Sequence, residues 1–221
     1  MTISLQDKAS GLDNKFTVAL DGPSAAGKGL IASMLAQRFN LVYFQSSILY
    51  RGLSWLCLKN NISIDDDIAV VQFATKTDIL NSVISADIND EHIGTIASKI
   101  SSITELRQYL NHYQQDLMKS TPRIIMEGRD IGTVIAPWAD LKIFITANVE
   151  IRAARRFKQL RQLGKTCTME QILRQLIERD ERDETRITAP LKPSPEALII
   201  DSSSLEPEQV IEIVENYMFG K

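Results

Sequence analysis

The sequence predicts an α/β fold built on a parallel sheet flanked by helices, and three observations carry that expectation. Five short apolar runs, FTVAL (16–20), LVYF (41–44), RIIM (123–126), KIFIT (142–146) and ALIID (197–201), have the length and branching of strands buried on both faces. The segments between them carry helical spacing, as in Ile31, Met34, Leu35 and Phe39. A glycine-rich stretch, DGPSAAGKGL, joins the first run to that first helix.

Length and composition bound the rest. The 221 residues, 44% hydrophobic and 24% charged, suit one large domain with inserts. A net charge of −3 and a pI near 5.5 offer no basic surplus for non-specific nucleic-acid or anionic-membrane binding. Cys57 and Cys167 stand far apart without a CxxC pattern, so they read as ordinary thiols and not as a zinc site or a disulfide framework. No apolar run reaches the roughly 18 residues of a membrane span, and residues 1–14 are polar with both charge signs, unlike a secretory signal. The expectation is a soluble, cytoplasmic protein with no nucleic-acid or membrane partner.

Taken in order, the first strand ends at Leu20 and Asp21, and the helix is expected to start near Lys28. Backbone N–H groups and a helix N-terminus then converge on one anion, and a lysine adds a point charge. The loop residues Gly22, Pro23, Ser24, Ala25, Ala26, Gly27, Lys28, Gly29 and Leu30 are therefore expected to bind the phosphates of ATP. The serine or threonine that ordinarily follows the lysine and holds magnesium is absent: Gly29 and Leu30 stand there. Leu30 cannot orient a magnesium-bound water, and its structural alternative is to pack toward the sheet. The lack of an NKxD element late in the chain argues against a GTPase, since the one NK pair, Asn14 and Lys15, precedes the loop.

Tyr50 and Arg51 follow the second run and Arg129 and Asp130 follow the third, at the carboxyl edge where open α/β sheets place ligands. The connections at about 60–105 and about 150–192 are too long for simple crossovers and are expected to be small mobile subdomains inserted into a core of 15–60, 105–150 and 192–221. The second of them carries Arg152, Arg155 and Arg156 at helical spacing. It also carries Arg179, Arg182, Asp183 and Arg186, expected on one helical face where the cations would repel unless Asp183 or a bound anion relieves them. That pattern fits a lid that closes over phosphates. The breaker cluster APLKPSP (189–195) is expected to end its last helix and feed the final strand.

The GKG sequence of the loop resembles the nucleoside monophosphate kinases. Beyond it, DGPSAAGKG, SILYRGL, EGRDIGTVIAPWADLKIFITA, RDERDETRITAPL and ALIIDSSSL occur in the order of the bacterial cytidylate kinases, and the chain resembles that family over nearly its whole length. The resemblance implies the P-loop nucleoside monophosphate kinase fold, a five-stranded parallel sheet with a CMP-binding insert and an arginine-rich lid. It implies transfer of the γ-phosphate of ATP to CMP or dCMP by a monomer, with magnesium bound through ATP and no protein side chain assigned to the metal.

Residue by residue, the resemblance assigns Arg51, Arg129 and Arg186 to the CMP phosphate, Arg179 and Asp183 to the sugar, and Ser98, Arg107 and Asp130 to the base. Ser46 and Tyr50 are added contacts to CMP, and the lid's Arg152, Arg155 and Arg156 are expected on the ATP side. Lys28, Arg129, Asp130 and Arg186 form the expected catalytic set. The chemistry agrees, because cytosine offers an amine to a carboxylate and presents N3 and O2 to donors. Four features depart from the family pattern: Ala25 in place of glycine, Leu30 in place of threonine, Gln45-Ser46-Ser47 in place of aspartate-serine-glycine, and an insert whose β-hairpin is trimmed near 83–93. Two other readings stay open at this point: a P-loop kinase for another small acceptor, and a weakened nucleotide-binding protein that regulates a partner.

Overall fold

The computed structural model of the chain describes residues 5–10, 14–84 and 87–220. The chain divides into two compact units, one of Met1–Phe44 with Met118–Lys221 and the other of Gln45–Leu117. The first unit opens with helix α1 (Leu5–Ser10) and strand β1 (Phe16–Asp21), followed by α2 (Lys28–Phe39) and β2 (Val42–Gln45). The second unit holds α3 (Ser47–Lys59), α4 (Asp67–Thr75), α5 (Ile79–Ser82), α6 (Glu91–Ile100) and most of α7 (Thr104–Ser120). The chain then continues through β3 (Arg123–Glu127), a single wide π-helical turn (Ile131–Ile135), β4 (Leu141–Thr146), α8 (Val149–Gln162), α9 (Met169–Thr185), β5 (Leu198–Asp201) and α10 (Pro207–Phe219).

All five apolar runs are strands, in the order β2-β3-β1-β4-β5. β1 runs parallel to β3 with Val18 opposite Ile125, and parallel to β4 with Leu20 opposite Ile143. The expectation of two-faced burial holds for the three central strands and fails at the edges. Val42 in β2 and Ile199 in β5 are 55% and 58% exposed, because an edge strand has a neighbour on one side only. The core of this unit lies between the sheet and α2 and α10, with Phe16, Leu20, Leu35, Ile125, Ile143 and Val214 fully or almost fully buried. At about 1.5–3 kcal/mol for each such side chain, this core is the main stabilising term. Phe16 and Phe39 meet edge to face at 6.3 Å.

Helix boundaries follow local chemistry. Gly27, at φ 89, turns the chain into α2, and Asn40, at φ 50, turns it out, with Leu41 N–H closing onto Ala36 O at 2.9 Å. Asp66, Asp78, Asp90 and Asn148 each cap the helix that follows with a side-chain oxygen, and Thr168 with Gln171 forms a reciprocal box at the start of α9.

The segment at 150–192, where a lid was expected, is a hairpin of α8 and α9 with its own apolar seam of Ala153, Leu160, Ile172 and Leu176, and Phe157 and Cys167 pack against it. α9 stops at Thr185, ahead of the APLKPSP cluster expected to end it. A carbonyl at its free end is satisfied by the returning chain, because Leu191 N–H donates to Asp183 O at 2.7 Å, and the loop beyond is held by the Arg186 side chain, which donates to Ala189 O at 2.6 Å. Arg186 therefore stands beyond the helix, with an extended ψ of 140, and does not share one helical face with Arg179 and Arg182.

In the second unit the described residues of the expected insert form helices and no strand. Ser85 and Ala86, in the stretch where a trimmed hairpin was expected, lie outside the described residues. Cys57 and Cys167 are free thiols, and burial pushes the Cys57 thiol up to about 11, so it stays protonated and unreactive. Among the described residues no helix is long and apolar enough to cross a membrane.

The entry to the glycine loop is the tightest backbone approach. Gly22 has φ 148, and a Cβ added there would lie 2.0 Å from the carbonyl oxygen of Ile145 on β4. Both atoms are anchored in backbone, so Gly22→Ala is expected to cost about 3 kcal/mol or more in a urea unfolding titration. Gly29→Ala meets nothing closer than 3.4 Å and sits in a helix, so it should leave stability unchanged or raise it by up to about 1 kcal/mol.

Candidate active site

The phosphate loop runs from the end of β1 to the start of α2. Lys28 is buried, and its ammonium donates to Pro23 O across the loop at 2.7 Å. Burial pushes the Lys28 ammonium well below the ordinary lysine range; Arg129 and Arg179 push the same way, while Glu127 and Asp21 oppose them.

The loop is braced from behind by the α8–α9 hairpin. Ala25 adopts φ 60, and its methyl packs against the hairpin's apolar seam. Arg152 is buried and donates to Ala147 O at 2.8 Å, to Ser24 O of the loop at 3.1 Å, and to Asp180 on α9. Arg155 donates to the oxygens of Ser202, whose own hydroxyl reaches Ala26 O at 3.5 Å, and Arg156 donates to Gln159 at 2.6 Å. All three arginines expected on the ATP side are thus bonded to protein oxygens.

At the carboxyl end of β3 stand Glu127, Arg129 and Asp130. Arg129 donates from Nε to Asp183 Oδ2 at 3.0 Å and from NH1 to Gly128 O at 3.0 Å. Arg186 lies 3.7 Å from Asp183 Oδ1 and 3.7 Å from Asp130 Oδ1. Arg129, Asp130, Asp183 and Arg186 are therefore brought together within the first unit from two separate stretches of chain, 129–130 and 183–186. Burial alone would push the Asp183 carboxyl up, but Arg129, then Arg179 and Arg186, outweigh it and hold it below the ordinary carboxylate range.

Pattern reading passes over two acidic residues. Asp21 closes β1 and is buried, accepting the N–H groups of Ile131 at 2.8 Å and Gly132 at 2.7 Å. Glu127 is 5% exposed, and its Oε2 has no hydrogen-bond partner. A Cβ added at Gly29 would lie 3.6 Å from both Glu127 oxygens and 3.4 Å from the Tyr43 hydroxyl. The one signal for either acid is its place at a strand's carboxyl end, next to a glycine. Leu30 is 54% exposed, so packing toward the sheet is not its role.

The remaining expected residues belong to the second unit. Ser46 and Tyr50 are buried at the start of α3, and Arg51 donates to Ile88 O at 2.9 Å and Asp90 O at 3.3 Å. Arg107 is 2% exposed, lies over the Tyr50 ring at 5.7 Å and donates to Ser101 O at 3.0 Å. Ser101 Oγ in turn donates to Ser98 O at 2.8 Å, linking the two residues expected to read a base.

Comparison with known proteins names the arrangement. The family model described as cytidylate kinase matches residues 18–219. The chain belongs to the cytidylate kinase family. It is 52% identical over 219 residues to the cytidylate kinase of Rickettsia africae (strain ESF-5), covering 99% of each chain, and 52% identical over 216 residues to that of Rickettsia canadensis (strain McKiel), covering 98% of each. A solved sugar kinase from Janibacter sp. HTCC2649 shares the fold at a TM-score of 0.50, with 13% identity and coverage of 93% of this chain and 95% of that one.

In this family member the lowered Asp183 pKa has a stability consequence with a definite sign. A carboxyl whose pKa is lower in the folded than in the unfolded chain contributes stability above its unfolded value of about 3.9, and the contribution fades as pH falls through the folded value. Asp183→Asn leaves three arginines without their anion, so it should cost about 3–5 kcal/mol at neutral pH. Urea titrations at successively lower pH should show the gap to wild type closing below about pH 4.

Proposed function

We propose that this protein is a cytidylate kinase that transfers the γ-phosphoryl group of ATP to CMP or dCMP, giving ADP and CDP or dCDP, as a monomer in the cytoplasm. Membership of the family supports the reaction class. The observation that carries the residue-level reading is the juxtaposition, within one unit, of the Lys28 loop with Arg129, Asp130, Asp183 and Arg186.

In this reading a phosphate oxygen of CMP attacks the γ-phosphorus, the bond to the β–γ bridging oxygen breaks, and ADP leaves with the electron pair. The CMP phosphate is its own nucleophile, so no histidine or activated serine is required. The loop amides and Lys28 hold the ATP phosphates, and Arg129 and Arg186 neutralise the acceptor phosphate. Asp183 orients both arginines, and a carboxylate with about four lone-pair sites still has capacity for a sugar hydroxyl. Arg179 is assigned to the sugar beside it. Asp130 accepts the cytosine amine, a position where uracil would set a carbonyl oxygen against the carboxylate. Ser46, Tyr50, Arg51, Ser98 and Arg107 of the second unit are assigned to CMP as well. Closure of the lid would exclude water, the competing acceptor.

The residues fit magnesium. Glu127 presents a buried carboxylate oxygen without a protein partner beside the first turn of α2, and it would hold the ion through the ion's own waters. When bound with ATP, magnesium supplies charge neutralisation to the phosphates.

Release of ADP from ATP in the presence of CMP, dCMP, UMP or AMP tests the reading. Turnover with CMP and dCMP well above UMP and AMP is expected. Equal rates with all four would refute base recognition by Asp130, and firm ATP binding without turnover would favour a regulatory nucleotide-binding protein.

The exposed Leu30 generates a second expectation. Leu30→Thr restores a hydroxyl at a position that contributes no core packing, so unfolding free energy should change by less than about 0.5 kcal/mol. The KM for magnesium-ATP should fall a few-fold, the scale of one hydrogen bond at roughly 0.5–1.5 kcal/mol, while the KM for CMP hardly moves.

A further inference from the structure

The wide turn after Asp130 is capped in an unusual way. Its first amides have no partner inside the turn, and an aspartate just before a helical turn ordinarily folds back to accept them. Asp130 does not, for its side chain makes no capping bond. The capping oxygens come from the neighbouring strand, where Asp21 Oδ1 accepts Ile131 N–H at 2.8 Å and Asp21 Oδ2 accepts Gly132 N–H at 2.7 Å. Asp21 is 4% exposed, an unfavourable place for a carboxylate unless those bonds matter. The fit is close, since a Cβ added at Gly132 would lie 3.4 Å from Asp21 Oδ2.

We infer that Asp21 is a positioning residue for base recognition: by clamping the amides of Ile131 and Gly132 it fixes the turn that follows Arg129 and Asp130, so that the Asp130 carboxylate is not drawn into capping that turn. The inference rests on the cytidylate kinase reading. Asp21 acts through the turn and touches no substrate.

The charged groups facing Asp21 are Asp130 from the turn and Lys28 from α2, while Lys142 of β4 passes Gly132 with its ammonium paired to Glu196 at 2.6 Å. Burial pushes the Asp21 carboxyl up to about 6; the two amide bonds pull against it, Asp130 adds to the rise and Lys28 opposes it. A carboxyl whose pKa is raised on folding binds its proton more tightly in the folded chain, so its protonation between about pH 6 and 4 favours the fold. The same proton removes one acceptor oxygen from the clamp. Recognition and stability therefore respond to Asp21 in opposite directions, which a purely structural carboxylate would not produce.

The test is the ratio of kcat/KM for CMP to that for UMP between about pH 7 and pH 5, a ratio in which the titration of the phosphate common to both substrates cancels. In wild type the ratio should fall about tenfold as pH drops through about 6, the scale of one hydrogen bond to a charged group, with the protein still folded by circular dichroism. Asp21→Asn, whose amide has one acceptor oxygen, should show the lowered ratio already at neutral pH and no pH dependence, with KM for ATP within about twofold of wild type. A flat wild-type ratio overturns the inference, and so does a variant that keeps the wild-type ratio or its pH dependence. If the variant does not fold, the wild-type profile decides alone. CMP turnover with an unchanged ratio refutes the clamp and spares the kinase reading; absence of CMP turnover overturns both.

Discussion

The pairing of Asp183 with Arg129 is the interaction on which the rest of the site depends. A kinase that receives two phosphate-bearing ligands must store several cations in one place, and stored cations repel each other in a medium that screens them poorly. Asp183 answers that problem from α9 by accepting Arg129 from the end of β3 and standing within 3.7 Å of Arg186 beyond the helix. It is 4% exposed, so its charge acts at full strength. The same carboxylate ties the α8–α9 hairpin to the segment after β3. Charge storage and hairpin attachment are one interaction in this molecule.

The phosphate loop shows a comparable economy. Its Ala25 sits at φ 60, a conformation that costs an L-residue about 1–2 kcal/mol and a glycine almost nothing. The methyl is not idle, because it packs on the seam between α8 and α9. Arg152 adds a second brace by joining Ser24 O to Asp180. The loop's departures from the family pattern thus divide into two kinds. Ala25 is absorbed into packing, whereas Leu30 is exposed and contributes none.

The second unit is organised around buried polar links. Arg107 is almost fully inaccessible. The backbone of Ser101 and the face of Tyr50 supply partners, and Ser101 carries the link on to Ser98. Arg51 is held by carbonyls at Ile88 and Asp90. A polar network of this kind holds its side chains in fixed orientations.

How much of this was legible beforehand depended on the range of the interactions involved. Strand positions and the start of α2 followed from short-range rules, because branched apolar runs and a glycine at positive φ act within a few residues of themselves. The residue types and spacing of the GRD and RD segments marked Arg129, Asp130, Asp183 and Arg186 as charged groups of one kind of site, and the fold sets them beside one another. Four things were decided by tertiary structure alone. Edge exposure of β2 and β5 depends on strand order, which no single run encodes. Arg186 leaves its helix where Leu191 returns to bond the Asp183 carbonyl of α9, and its side chain turns to Ala189 O in the loop beyond. Arg152 faces protein oxygens supplied by segments 28 and 128 residues away. Asp21 and Glu127 gain their meaning from neighbours across the sheet, since an acidic residue at the end of a strand says nothing by itself about which amide or cation the fold will set against it. Local chemistry wrote the elements and the cast of charged residues, and only the packing of distant strands decided which charge faces which.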